Sequence, residues 1–533
     1  MEYLRHKNIN VRKTHNKLLQ KRNLQLENIR TIEEINEKIR KGDVNVVTAE
    51  EMVELVREKG STIAAKDVDV VTTGTFGAMC SSGAFLNFGH SDPPIKMENL
   101  TLNGVNTYHG NAAVDCYLGV TKMHPEKPFE YGGGHVLEDL VSGKEIELEA
   151  VGYGTDCYPR KYLKTIITLH DLNQAILCNP RNAYQRYATA TNGRDEIIYT
   201  YMGKLLPNFG NATFSGSGSL SPLSKDPNYE TIGLGTRIFL GGGIGYVIGE
   251  GTQHSPTNKF GTIMVKGDLG KMRPEFLKGA AFTRYGTSLY VGLGIPIPIL
   301  NEGLAKKTGV SDEDLKTDVL DYGIARRDRP VLKETNYAEL KSGKIVIDNK
   351  EVSVTPLSSI KKAREIANIL KEWIEKAQFF LTAPVDRLSV DTICKPMKVV
   401  SRVPFVNEIM ENAVTCNLDD NIDVLAKKII NNNVNHIAVI DDNGKLLGIV
   451  TSFDITKAIA TGKKELEEIM TRNVITVYPE ESVDTCATKL EKNNISALPV
   501  VNRSNELKGI ITSEKISSLL GEIGLKDESR IKI

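Results

Sequence analysis

Two cysteines in glycine-rich surroundings are the residues of this sequence whose types and spacing point to chemistry. Cys157 lies in Gly152-Tyr-Gly154-Thr-Asp-Cys157-Tyr-Pro159-Arg160-Lys161, where glycine and proline oppose regular structure and two cations follow within four residues. Neighbouring positive charge favours thiolate over thiol, so a nucleophilic sulfur is expected there. Cys80 lies in Gly74-Thr-Phe-Gly77-Ala-Met-Cys80-Ser81-Ser82-Gly83, directly after a short buried-strand pattern at Val68 to Thr72. A strand that empties into a Gly/Ser turn leaves backbone N–H groups for an anion and lets a ligand approach closely. The plain alternative for each is a small buried cysteine or a tight turn, and its weight falls because the two contexts are alike.

The remaining candidates carry less. The seven cysteines stand at 80, 116, 157, 178, 394, 416 and 486, and no two form C-x-x-C. That excludes a ribbon-type zinc site or a ferredoxin-type cluster motif, and the odd number argues against a secreted disulfide framework. His90, His109, His124 and His135 match no helix-borne metal pattern, so no metal site is expected. Cys116 reads as a core residue. Arg181 and Arg186 are candidates for facing a substrate carboxylate, although charged helix faces are usually only solvated.

The elements that must position these residues read as a mixed α/β domain. Thr31-Ile-Glu-Glu34 and Thr48-Ala-Glu-Glu51 are capping boxes for helices reaching Lys41 and Gly60. Tyr162 to Leu169 is a strand pattern. Pro180 fits a first-turn helix position capped by Asn179, predicting a helix to Ala190. The glycine-dense stretch Gly233 to His254 predicts strands joined by backbone-lined turns, without the strand–helix frame of a dinucleotide site. Val291 to Leu300 is apolar, but its two prolines exclude a central strand. Asp318 to Pro330 is a charged surface for a ligand or partner, and Ser358 to Leu381 is an amphipathic helix ended by Ala383-Pro384. The domain then ends near residue 390.

Bulk properties narrow the class. At 533 residues the chain needs more than one core. Its 67 basic and 67 acidic residues balance, which disfavours a nucleic-acid binder relying on a basic surface. No apolar run approaches the roughly 18 to 20 residues of a membrane span, and the charged start is no signal peptide, so a cytoplasmic location is expected. Residues 1–30 read as an N-terminal extension.

From Val406 the chain repeats itself. Gly448-Ile-Val-Thr451-Ser452 returns as Gly509-Ile-Ile-Thr512-Ser513, and His436-Ile-Ala-Val-Ile440 as Ser496-Ala-Leu-Pro-Val500. Each unit reads strand, helix, strand, strand, helix, and buries its sheet against its twin. This resembles a tandem pair of CBS repeats, at 406–462 and 463–525 after a linker at 391–405. The resemblance implies an adenosyl ligand, such as S-adenosylmethionine, held by the G-h-h-T-x-x-D element. Repeat one has it as Gly448-Ile-Val-Thr451-Ser-Phe-Asp454, whereas Lys515 replaces the aspartate in repeat two. The implied site residues are Thr415, His436, Ile437, Ala438, Thr451 and Asp454, with Thr476, Ser496, Ala497 and Thr512 in a weaker or altered second site. Pairing of such modules implies a homodimer.

Residues 31–390 resemble the archaeal homocysteine biosynthesis, sulfur-incorporating family, the L-aspartate semialdehyde sulfurtransferases. The two cysteine motifs and the closing segment Phe379-Phe-Leu-Thr-Ala-Pro-Val-Asp-Arg-Leu388 carry the resemblance. It implies insertion of sulfide-derived sulfur into aspartate semialdehyde to give homocysteine. It also implies electrons from a separate, ferredoxin-like iron–sulfur protein, with no tightly bound cofactor. On that reading one of the two cysteines carries a persulfide whose terminal sulfur attacks the aldehyde carbon, and the other closes a disulfide as the sulfur leaves; the sequence leaves the order open, and the cations beside Cys157 favour it as the carrier with Cys80 as its partner. Backbone N–H groups of the glycine turns hold the developing oxyanion.

Two other classes compete. A CBS-gated oxidoreductase resembling IMP dehydrogenase also joins CBS repeats to a catalytic cysteine, but no barrel-like alternation of strands and helices is visible here. An adenosine sensor with a non-catalytic front domain leaves the two cysteine turns unexplained.

Overall fold

The computed structural model describes residues 29–109, 111–398 and 403–519. The expected extension at 1–28 and the tail from 520 lie outside the described residues. The chain divides into two compact units, residues 1–321 with 331–395, and residues 322–330 with 396–533. The fold is mixed α/β, ending in a pair of CBS-type repeats.

The first unit is organised by a nine-stranded sheet. Its strands, numbered along the chain, are β1 (Thr75–Ala78), β2 (Gly83–Asn87), β3 (Asp115–Gly119), β4 (Gln174–Asn182), β5 (Arg237–Leu240), β6 (Gly243–Glu250), β7 (Ile263–Asp268), β8 (Leu277–Phe282) and β9 (Gly286–Gly294). Their order in space is β8-β9-β5-β6-β7-β4-β2-β3, and β1 also pairs with β9. The chain therefore leaves β1 on one side, turns through Met79 to Ser82, and re-enters the sheet between β3 and β4. Hydrogen bonds tie that turn to both sides: Met79 N–H donates to Leu289 O of β9, and Val120 N–H donates to Ser82 O.

The helices follow their local signals. Thr31 and Thr48 form the reciprocal capping boxes with Glu34 and Glu51, opening helices Ile32–Lys41 and Ala49–Lys59. The helix Ile360–Glu375 buries Ala363, Ile366, Ala367, Leu370 and Ile374. Its axis lies so close to Gly74 that a Cβ there would fall 2.0 Å from Ala363 O. That glycine is required by helix packing, a reason unrelated to ligand approach. The glycine run 241–243 is the tight turn between β5 and β6, with positive φ at Gly241 and Gly242.

The helix expected over 180–190 is absent. Gln174–Asn182 is strand β4, hydrogen-bonded to β2 and β7. Pro180 is tolerated because the register with β7 shifts between Asn179 and Asn182, so no ladder donor is demanded of it. Asn179 Oδ1 does accept from a backbone N–H two residues on, that of Arg181, as an Asx turn within the bulge. Of the stretch 291–300, expected to be barred from a central strand, Val291–Gly294 do lie in the central strand β9, because the prolines come after them; Pro296–Pro298 is the edge strand of a separate three-stranded sheet, the position its prolines allow.

In the second unit, Thr415–Cys416, His436–Ile440 and Leu446–Thr451 form one sheet, and Ala497–Val501 with Leu507–Thr512 form its counterpart. Among the described residues no helix is long and apolar enough to cross a membrane.

Candidate functional site

Cys80 is half-buried at the crossing turn, and its Sγ lies 3.2 Å from Ser288 Oγ on β9. Burial raises its thiol pKa, while the Ser288 hydrogen bond, its own backbone N–H and the field of Arg181 oppose the rise. Arg181 reaches this place from the end of β4, where Ser81 Oγ donates to Arg181 O at 3.5 Å. Tyr184, Tyr285 and Tyr290 all feel the charge of Cys80. Tyr184 packs against Tyr187 and Phe260 at centroid distances of 4.7 and 5.5 Å, so an aromatic wall accompanies the thiol. Among the described residues, neither Cys80 N–H nor Ser81 N–H donates to another residue's backbone carbonyl. The arrangement offers a sulfur nucleophile, a hydroxyl partner, a guanidinium and turn N–H groups for an oxyanion.

Cys157 is exposed in the irregular segment between strands Ile146–Val151 and Tyr162–Ile167. This loop docks on the chain that follows β2. Arg160 Nε donates to Pro93 O at 3.1 Å, and Tyr158 stacks on His90 at 5.8 Å between centroids. The guanidinium expected beside Cys157 is therefore turned to the carbonyls of Asp92 and Pro93. Cys80 precedes β2, whereas the residues that hold the Cys157 loop follow it, and four strand steps of about 3.3 Å separate the ends of β2. Both thiols are free, and the structure seats them against different elements.

The other sequence candidates are distributed as follows. Cys116 is fully buried, and burial pushes its thiol up to about 12. Arg186 is paired with Asp318 at 2.8 Å, and Arg181 is the arginine that reaches a cysteine. Among the described residues no group of three or more His, Cys, Asp or Glu is placed to hold a metal ion. Ser288 on β9, Tyr184 in the loop after β4 and Tyr285 in the turn between β8 and β9 carry no local sequence signal that sets them apart. The motif Cys178-Asn-Pro-Arg181-Asn is the sequence signal for this corner, although its local chemistry predicts a helix start.

In the second unit two clefts of about 440 and 410 Å³ share His436, Thr451 and Ser496. His436 Nε2 and Ser496 Oγ are 2.9 Å apart, linking the two repeats. Ala497 lines the first cleft and Thr512 the second. Ile437 and Ala438 are fully buried strand residues behind the clefts. Thr415 pairs with Ala438 in the sheet, and the carbonyls of Thr415 and Thr476 accept from Lys428 and Lys489. Asp454 Oδ2 accepts from Thr451 N–H at 2.9 Å and Thr451 Oγ1 at 2.6 Å, closing the capping box of helix Ser452–Thr461. Its counterpart Lys515 reaches Glu411 at 3.1 Å.

A family model described as homocysteine biosynthesis enzyme, sulfur-incorporation, matches residues 44–381. The chain belongs to that family. CBS domain models match 406–461 and 466–522. The chain is 54% identical over 493 residues to the L-aspartate semialdehyde sulfurtransferase of Methanosarcina acetivorans, covering 92% of this chain and 99% of that protein. It is 55% identical over 509 residues to the protein of the same name from Methanocaldococcus jannaschii, with the same coverage. Among solved structures, a CBS domain pair in complex with 5′-methylthioadenosine and S-adenosyl-L-methionine is 46% identical, covering 23% of this chain and 98% of that one, with a TM-score of 0.22.

Proposed function

We propose that this enzyme inserts sulfide-derived sulfur into L-aspartate semialdehyde to form L-homocysteine through a cysteine persulfide. The observation that carries this reading is Cys80, a half-buried thiol bonded to Ser288 with Arg181 at hand, together with an exposed second thiol, Cys157. Cys157 is open to a sulfur donor, and Cys80 stands where a small anionic aldehyde can be enclosed.

The steps balance as follows. Hydrosulfide attacks a Cys80–Cys157 disulfide, forming the persulfide on Cys157 and releasing Cys80 as thiolate. The terminal sulfur adds to the aldehyde carbon and the carbonyl oxygen takes a proton, with turn N–H groups stabilising the developing charge. Cys80 then attacks the Cys157 sulfur, which restores the disulfide and frees the substrate-bound sulfur. Loss of water, then two electrons and two protons from a reductant outside this chain, gives the thiol. A ferredoxin-like iron–sulfur protein in the cytoplasm is the proposed source.

The CBS pair is proposed to bind an adenosyl ligand, S-adenosylmethionine by preference, as end-product control, and to pair in a homodimer. Among the described residues its clefts are lined by no lysine or arginine, and the second carries Glu514 and also Glu411, whose charge is met from outside the lining by Lys515. A sulfonium suits such a lining better than a nucleotide phosphate.

The test is peptide mapping by mass spectrometry after anaerobic exposure to sulfide or a persulfide donor. Added sulfur on the Cys157 peptide, discharged by aspartate semialdehyde and a reductant, is the expected result. Sulfur transfer that survives Cys157→Ala but not Cys80→Ala reverses the two roles, and no sulfur on either peptide overturns the reading.

A further inference from the structure

We infer that the Nε edge of Arg181, with Asn179 and Ser82 beside it, holds the carboxylate of the aldehyde substrate. Resting on the sulfurtransferase reading, this assigns the specificity of the same site. Arg181 Nη1 is held by Gln253 Oε1, which fixes the guanidinium plane. Its Nε is buried and meets no acceptor among the described residues. The edge left is the one a carboxylate engages with two parallel hydrogen bonds.

Polar groups around it are in the same condition. Ser82 Oγ and Asn179 Nδ2 are buried without a partner among the described residues, on side chains that are 2% and 0% exposed. Buried donors of this kind are rare unless something polar occupies the site. Cys178 pairs with Gly83 across β4 and β2, so continuing that antiparallel register sets Asn179 opposite Ser82, and Ser81 Oγ meets Arg181 O at 3.5 Å. Asn179 Oδ1 accepts from Arg181 N–H at 3.2 Å, so its amide nitrogen is the donor left over. Cys80 is the next residue on this turn, and it feels the Arg181 charge. A carboxylate on Arg181 therefore holds the rest of a short substrate at the thiol.

The ligand chemistry is a small aldehyde bearing a carboxylate. Arg186 does not compete, being committed to Asp318. Losing a charged hydrogen-bonded pair of this kind costs about 10- to 100-fold in discrimination.

The experiment compares L-aspartate semialdehyde with 3-aminopropanal, which keeps the aldehyde and amine but lacks the carboxylate, in wild type and in Arg181→Gln. The expected result is a KM for aspartate semialdehyde raised about 10- to 100-fold and collapse of the preference over 3-aminopropanal, with the Cys157 peptide still taking up sulfur by mass spectrometry. An unaltered preference, or a loss of kcat alone, overturns the assignment. Gln253→Glu on the exposed loop is the second variant: its carboxylate competes for Arg181, so KM rises, and an unchanged KM overturns the assignment. Wild type turning over neither aldehyde would instead sink the sulfurtransferase reading.

Discussion

Cys80 Sγ and Ser288 Oγ lie 3.2 Å apart although 208 residues separate them in the chain. The contact exists because β1 pairs with β9, with Ala78 opposite Tyr290, so the turn after β1 continues along Ser288. With burial raising the Cys80 thiol and Ser288 opposing that rise, Ser288→Ala moves the alkylation pH profile of Cys80 to higher pH. The check is iodoacetamide labelling rate against pH, read on the Cys80 peptide. A midpoint that stays put or falls contradicts the role given to Ser288.

Tyr158 holds the 152–161 loop on His90, and that hold is expected to slow closure of Cys80 onto Cys157. An aromatic stack of this kind holds about 0.5–1.5 kcal/mol. Tyr158→Ala therefore speeds diamide-driven formation of the Cys80–Cys157 disulfide by about two- to tenfold, followed by non-reducing peptide mapping. An unchanged rate means the stack does not restrain the loop.

Asp454 closes the capping box of helix Ser452–Thr461 and is also proposed for the adenosyl site. Asp454→Ala is expected to cost about 1 kcal/mol of stability in its repeat through the lost cap. It should also weaken S-adenosylmethionine about tenfold or more in calorimetry. Glu514→Lys shifts preference toward AMP. Retained S-adenosylmethionine affinity in Asp454→Ala would remove that residue from the site.

Lys225 is fully buried, its Nζ donating to Thr308 O at 2.8 Å and Val310 O at 2.7 Å, and burial lowers its pKa to about 7 from 10.5. Between those values the unfolded chain holds a proton that the folded chain does not, so this residue's contribution to stability rises with pH. The wild type therefore gains on Lys225→Met as pH is raised from about 7 to about 9. Melting temperatures of the two proteins at both pH values decide it, and a constant difference rules the effect out.

Gly74→Ala places a methyl 2.0 Å from Ala363 O. Backbone cannot yield as a side-chain tip does, so a loss of about 3 kcal/mol or more is expected in denaturant unfolding. A change below about 1 kcal/mol would show that the helix Ile360–Glu375 can shift.

The sequence alone determined what depends on near neighbours. The capping boxes at Thr31 and Thr48, the helix after Ser359 and the repeated strands of the tail all rest on interactions a few residues apart, and each is found in the structure. The exception shows where local reading stops. Asn179-Pro180-Arg181 has the chemistry of a helix start, but pairing with β2 and β7 makes it a strand, because ladder bonds on both sides outweigh a cap preference. Only the tertiary structure decided which groups meet Cys80. Ser288 and Arg181 arrive from strands more than a hundred positions away or nearly so, placed by sheet order, and sheet order is set by which faces bury together. The structure also seats the Cys157 loop on His90 and Pro93, after β2, whereas Cys80 precedes it, and two similar glycine-rich motifs gave no hint of this, since local spacing carries no record of the path the chain takes between them.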